Sequence, residues 1–319
     1  MPDTETQTKI QALSAEEISI LETLIYIGIF KYPLKPSEIH QYAPFAMSPM
    51  VIVPSLNYLA NLGLIFQLGN YYAIDDQPDW VALREKGNAA ATKMMKVAKR
   101  YVRLISWFPF VRCVCISGSL SKGYVDEGGD VDYFVVTEPG RLWIARTLLI
   151  GFKKIFLLNS KKYFCINYLI DTNHLEIPDQ NIFTATEIQT LLPMYDAELY
   201  NKFLQRNEWS KAFRPNMKTL DLSDVLPKKR YWLKGLFETL LSNSMGDALD
   251  SWMMKLTMKR WEKKFAHFNK EFFEHALRSR KYVSKHHPQN FQKRVLEAFA
   301  EGHKSFELKH NLELKRPND

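Results

Sequence analysis

One stretch constrains the fold of this chain more than any other: Val111 to Val136, VRCVCISGSLSKGYVDEGGDVDYFVV. Its opening residues Val111, Cys113, Val114, Cys115 and Ile116 form a short apolar run of β-formers, which reads as a buried strand. The run stops at Ser117-Gly118-Ser119, where small residues let a backbone turn into a short helix and approach a ligand closely. A polar loop with Gly128 and Gly129 leads to a second strand, Asp130-Val131-Asp132-Tyr133-Phe134-Val135-Val136. Alternation along that strand puts Asp130 and Asp132 on one face and Val131 on the other.

Two adjacent carboxylates repel each other, and a divalent cation between them removes that cost. Hard oxygen donors of this kind suit Mg2+ or Mn2+. The backbone N–H groups of Gly118 and Ser119, at a helix start, suit an anionic phosphate, and Ser121 and Lys122 are close enough in sequence to assist. A phosphate cradle followed by cation-binding acids describes a site for a nucleoside triphosphate. The plainer reading of the acids is the solvent face of a hairpin strand.

Gly118-Ser119 after an apolar strand, about ten residues, then Asp130-Val131-Asp132 framed by apolar neighbours, resembles the signature of the polymerase-beta-like nucleotidyltransferase superfamily. The resemblance spans roughly Val111 to Asp171. It implies an α+β core, a small mixed sheet flanked by helices, and two-metal transfer of a nucleoside monophosphate from a nucleoside triphosphate to an acceptor. Asp130 and Asp132 would bind the metals, and Gly118 and Ser119 the β- and γ-phosphates, with Lys122 or Ser121 assisting. The family also carries a third carboxylate on the next strand, expected here over Tyr163–Ile170; this chain has Asn167 there. Asn can offer a carbonyl oxygen but cannot take a proton. Asp171, at an even offset from Asn167, either replaces the missing catalytic carboxylate or merely begins the following turn, and Asp126 and Glu127 in the preceding loop are weaker substitutes. Arg141 and Arg146, soon after the second strand, are further candidates for contacting phosphate.

The first 76 residues carry a separate pattern. Ser14-Ala15-Glu16-Glu17 has capping-box spacing ahead of a helix from Ile18 to Ile29. Helices are expected over Pro36–Tyr42 and about Pro49–Leu62, then a hairpin joined through Gly69-Asn70. The layout is similar to a winged helix. Ser48 to Ile74 hold no Lys or Arg, so a protein-contact or domain-packing role is expected ahead of DNA binding.

A long basic helix from about Trp80 to Trp107 links this module to the core. Beyond it, Thr184-Ala185-Thr186-Glu187 and Asp196 suggest helix starts, and the C-terminal region is expected to be all-helical. Trp261, Phe265, Phe268 and Phe272 fall at helical spacing and mark a core stripe. Residues 211–319 hold 23 Lys/Arg against 13 Asp/Glu, so the whole positive excess of a chain of net charge +8 lies here. Either a solvated basic surface or an anionic acceptor such as RNA accounts for it.

The expected organisation is thus a flexible start (1–13), a winged-helix-like module (14–76), a nucleotidyltransferase core with its leading helix (77–182) and a helical C-terminal region (183–319). Three cysteines, an odd number, read as reduced core residues. The start lacks a secretory apolar region, and the most apolar run, Leu142–Leu158, is broken by Arg146, Lys153 and Lys154. A cytoplasmic protein with no membrane partner is expected. The acceptor, whether RNA, protein or small molecule, and the nucleobase are open. Alternatives to transfer are a catalytically degenerate nucleotide-binding scaffold and a nucleic-acid-binding protein using the basic C-terminal half.

Overall fold

The computed structural model describes residues 13–229 and 231–315. The expected flexible start falls almost wholly outside the described residues. The chain divides into two units, one of residues 1–83, 212–218 and 296–319, the other of residues 84–211 and 219–295.

In the first unit, helix α1 (Ala15–Gly28) opens on the expected capping box: Ser14 Oγ accepts from Glu17 N, and Glu17 accepts from Ser14 N. Helices α2 (Pro36–Tyr42) and α3 (Ile52–Asn61) follow, the second preceded by a 3-10 turn at Pro49–Val51. Strands β1 (Phe66–Leu68) and β2 (Tyr71–Ala73) form a hairpin. Ile20, Leu21, Leu24, Ile39, Leu56 and Leu59 are buried among these elements. Sequence reasoning did not anticipate that residues from far along the chain complete this unit. Arg214, 1 % exposed, donates to Tyr42 O at 2.8 Å and lies over the Tyr26 ring. Asn216 bonds Ala43 O, Phe45 O and Met47 N.

The second unit is organised by a six-stranded mixed sheet. Helix α4 (Asp79–Trp107) enters it, burying Arg84, Gly87, Ala91, Ala98, Val102 and Ile105 at three-, four- and seven-residue spacings. There follow β3 (Val111–Ser117), the single turn α5 (Gly118–Ser121), β4 (Asp132–Thr137), α6 (Leu142–Phe156) and β5 (Cys165–Asp171). Next come α7 (Ile182–Gln189), β6 (Leu192–Tyr195), α8 (Ala197–Arg206) and α9 (Ser210–Phe213). The last elements are α10 (Trp232–Leu241), α11 (Ser244–Lys264), α12 (Lys270–Ala276), β7 (Ser279–Arg280), β8 (Val283–Lys285) and α13 (Phe291–His310).

The strand order is β6-β3-β4-β5-β8-β7. Only β4 and β5 are parallel, joined by the α6 crossover that a parallel pair requires. One face of the sheet packs under α4 and α6 through Val114, Ile116, Tyr133, Val135, Trp143 and Leu169. The other packs under α7 and α8 through Cys113, Cys115, Phe134, Val136, Ile188 and Phe203. All three cysteines are free and buried.

The α+β class is as expected, but the C-terminal region is not all-helical. It supplies β6, β7 and β8, half of the sheet. These strands hold four, two and three residues, too short to show alternation, and β6 contains Pro193 on an edge, where the missing N–H costs nothing. The expected helix start at Thr184 is one turn late: Asn181 caps α7, accepting from Thr184 N. The aromatic stripe does form a core cluster, with Trp261 and Phe265 buried beside Phe268 and Phe272. No helix among the described residues is long and apolar enough to cross a membrane.

Helix α6 starts without a cap of its own. Asp250 of α11 supplies one, accepting from Trp143 N at 2.8 Å and Ile144 N at 3.0 Å. Beside it, Arg141 donates to Leu241 O, Gly140 O and Asn243 O and pairs with Asp247, so the turn between α10 and α11 is fixed to the start of α6. A Cβ on Gly246 would stand 1.8 Å from Leu241 O. Helix propensity alone would make Gly246→Ala stabilising by about 1 kcal/mol. Because the obstruction is backbone, we expect the opposite sign, a loss of about 2 kcal/mol in urea unfolding followed by Trp fluorescence.

Candidate metal and nucleotide site

Antiparallel pairing of β3 with β4 puts Ser117 opposite Asp132. The end of β3, the start of β4 and the start of its parallel neighbour β5 therefore share one end of the sheet. Gly118 follows with φ +68, the left-handed region that glycine enters without penalty. Its α-carbon faces Asp132 so closely that a Cβ there would lie 2.7 Å from Oδ2. Glycine is thus required twice, by backbone angle and by space. The small-residue bend therefore lies directly against Asp132.

Oxygens of Asp130 and Asp132 and the Cys165 sulfur all lie within 4.8 Å of one another. Cys165 pairs with Asp132 in the β4–β5 register. Sequence reasoning gave Cys165 only a core role. The signal that could have found it is its two-residue offset from Asn167, which puts both on one face of a regular strand. Burial first, then the charges of Asp132 and Asp130, push the Cys165 thiol far above its ordinary value. It stays protonated at neutral pH and donates to Asn167 Oδ1 at 3.0 Å.

Asn167 occupies a bulge between the Tyr133 and Phe134 pairings. Its amide nitrogen donates to Asp132 Oδ1, and its oxygen is engaged by Cys165. Asn167 therefore fixes the orientation of Asp132, with neither amide atom turned to a ligand. The same bulge disrupts the expectation for Asp171. Tyr168 and Ile170 pack with Phe134 on one face while Leu169 packs on the other, so alternation beyond the bulge puts Asp171 opposite the acids. Asp171 also pairs with Thr137, at the far end of the strand, roughly 16 Å from Asp132 at the usual rise per residue. There it accepts from Asn173 N and from His174 at 2.7 Å.

The remaining candidates divide in the same way. Lys122 reaches the turn, donating to Gly118 O at 3.1 Å and pairing with Glu187 at 2.8 Å. Ser121 Oγ donates to Gly118 O at 2.8 Å, and Ser119 is exposed beside it. Arg141 is committed to the α10–α11 turn at the opposite end of β4. The Arg146 guanidinium lies between the Trp143 and Trp261 rings, 5.6 and 4.8 Å from their centroids, and burial lowers it to about 10. The structure thus brings together Gly118, Ser119, Ser121, Lys122, Asp130, Asp132 and Asn167, and leaves Asp171, Arg141 and Arg146 outside.

No protein-family model, curated protein or solved structure matches this chain. What the cluster can do is therefore argued from its donors. Two carboxylates whose oxygens converge fit a hard divalent cation, and the Cys165 sulfur lies within reach of the same point. Two cavities, of about 330 and 520 Å³, lie at the Val111 end of the sheet and share no lining residue with the acid cluster.

Burial, then the neighbouring charge of Asp130, raises the Asp132 carboxyl from 3.8 to about 7, against opposing pulls from Cys165 and Lys122. The folded chain holds this proton more tightly than the unfolded one. The stability it contributes is full below about pH 4 and is lost as pH rises through 7. Asp132→Asn should accordingly melt a few °C above the parent at pH 8, roughly what 1–2 kcal/mol gives in a domain of this size. The gap should close toward pH 4 and shrink at pH 8 when Mg2+ is added to the parent. A gap independent of pH in thermal melts removes the buried charge from the account.

Proposed function

We propose that this chain is a nucleotidyltransferase dependent on Mg2+ or Mn2+, moving a nucleoside monophosphate from a nucleoside triphosphate onto an acceptor and releasing pyrophosphate. The observation that carries the reading is the close approach of Gly118 to Asp132, with Asp130 in the same cluster. A cation held by Asp130 and Asp132 would neutralise charge on the reacting phosphorus and on the leaving pyrophosphate.

The chain's own residues have distinct tasks. The Gly118–Ser119 turn would receive phosphate oxygens on its backbone N–H groups, next to the Asp132 carboxylate that the absent side chain of Gly118 lets approach. Ser121 and Lys122 brace that turn through the Gly118 carbonyl, and Glu187 holds Lys122 in place. Asn167 keeps Asp132 in one rotamer. Since Asn167 takes no proton, the proton of the acceptor hydroxyl leaves to solvent or to a group other than Asn167. RNA, a protein side chain and a small-molecule hydroxyl all meet that requirement. The free cysteines fit a reducing, cytoplasmic setting.

A second reading, a nucleotide-binding scaffold without transfer, is favoured by one observation: both amide atoms of Asn167 are engaged and Asp171 lies at the other end of the strand. Under either reading, the three helices and hairpin of the first unit are similar in layout to a winged helix. Without a Lys or Arg from Ser48 to Ile74, they fit a protein partner better than DNA.

Incubation with Mg2+ and each labelled triphosphate, alone and with cell extract, separates the two. Transfer predicts a labelled product and released pyrophosphate, both reduced at least 100-fold by Asp130→Asn, on the order of losing one transition-state charge contact. Scaffolding predicts triphosphate binding, weakened by Asp130→Asn, with no pyrophosphate from any acceptor. Undiminished turnover in Asp130→Asn would eliminate the metal site.

A further inference from the structure

Helix α10 is mounted with its polar side inward. Lys234 and Glu238, one turn apart, face the protein. The Lys234 ammonium is buried and donates to Ser106 O at 2.9 Å and Val111 O at 2.7 Å. Glu238 accepts from Phe110 N at 2.6 Å and pairs with Arg112 at 2.8 Å. Trp232, Leu233, Leu236, Phe237 and Leu240 are each at least half exposed. Helices of soluble domains ordinarily bury such residues. Here four polar contacts fix the helix in the reverse orientation, so its apolar side is held in water.

The surroundings of that apolar stripe are cationic. Lys228 and Lys229 precede α10 and are exposed. At its foot a cavity of about 520 Å³ is lined by Arg112, Lys228, Lys229 and Lys234, with Glu238, already paired to Arg112, the one acid among its lining residues. Trp107, 55 % exposed, packs against Tyr231 at 5.6 Å. It continues a line of exposed side chains on one face of α4: Lys96, Arg100 and Arg103, at four-, three- and four-residue steps.

We propose that α10 and its basic foot form a docking surface for an anionic lipid bilayer. The stripe enters the boundary between headgroups and acyl chains, Trp232 and Trp107 sit at headgroup level, and Lys228, Lys229 and the exposed cations of α4 meet lipid phosphates, while Lys234 and Arg112 stay with their internal partners. The contact is peripheral, since α10 has ten residues and lies along the surface. Charge decides between occupants. A nucleic acid would use the cations and leave the apolar stripe wet. A second copy would cover the stripe but bring an identical cationic rim to the same junction. An anionic bilayer satisfies both. The proposal is independent of the acid site at the other end of the sheet.

The test is co-sedimentation of the full chain with phosphatidylcholine vesicles, with and without phosphatidylglycerol. The parent should sediment with the anionic vesicles and stay in solution with the neutral ones. The pair Leu236→Ser and Phe237→Ser, and separately Lys228→Gln and Lys229→Gln, should each weaken binding on the order of tenfold. The lysine pair should keep the parent's circular dichroism and melting temperature, because both side chains are exposed, and the half-exposed apolar pair should keep the circular dichroism with a small drop in melting temperature. Failure to bind anionic vesicles overturns the proposal, as does undiminished binding by the apolar variant. Sedimentation velocity showing a dimer that the apolar variant abolishes, without vesicle binding, would assign the face to a second copy. Salt-sensitive RNA binding in place of vesicle binding would assign the cations to nucleic acid.

Discussion

The candidate site rests on one strand register: Ser117 opposite Asp132 in the β3–β4 pair. A shift of one residue would turn Asp132 to the α4–α6 face and bring a valine to the bend. That register is held by the cores on both faces, Val114 and Val135 on one side and Cys115 and Phe134 on the other. The chemistry at the strand ends is thus positioned by apolar packing along their length. It needs no contribution from the acids, whose proximity opposes folding while Asp132 is charged.

Much of this was legible in the sequence because it is local. The run Val111–Ile116, the glycine bend and the alternating DVDYFVV strand carry their own periods, as do the capping box at Ser14 and the Gly69-Asn70 hairpin. Asp130 and Asp132 do lie in one cluster, although β4 itself begins at Asp132 and Asp130 precedes it. Asp171 does not join them, because a single extra residue at Asn167 resets alternation beyond it, and a bulge leaves no mark in residue types. The short strands β6, β7 and β8 were illegible for a related reason. With two to four residues each, they are strands only because a neighbour offers unpaired backbone. Arg141 and Arg146 looked like phosphate ligands by sequence position, and their partners, Asp247 and Trp261, lie about a hundred residues away.

Polar groups in the second unit repeatedly fix geometry where a helix or strand lacks an internal partner. Asp250 caps α6 from a distance, Arg141 collects the carbonyls at the end of α10, and Lys234 takes two carbonyls at the approach to β3. Each is buried, so removing either partner would strand a polar group without water. In the acid cluster Asn167 acts in the same way on Asp132. The α4–α6 side of the sheet is therefore located by directional bonds as well as by area.

The first unit has a consequence for how the chain is made. Its parts, residues 1–83, 212–218 and 296–319, flank and interrupt the segments of the other unit. On a ribosome, α1 to α3 emerge first, yet the partners that cover Tyr26 and Ile25, Phe299 and Gly302, come only after residues 219–295 have been synthesised. Until then the earliest helices present apolar surface to the cell. No single peptide bond can be cut to yield two pieces that each contain a whole unit, so expression of either alone requires rejoining distant segments.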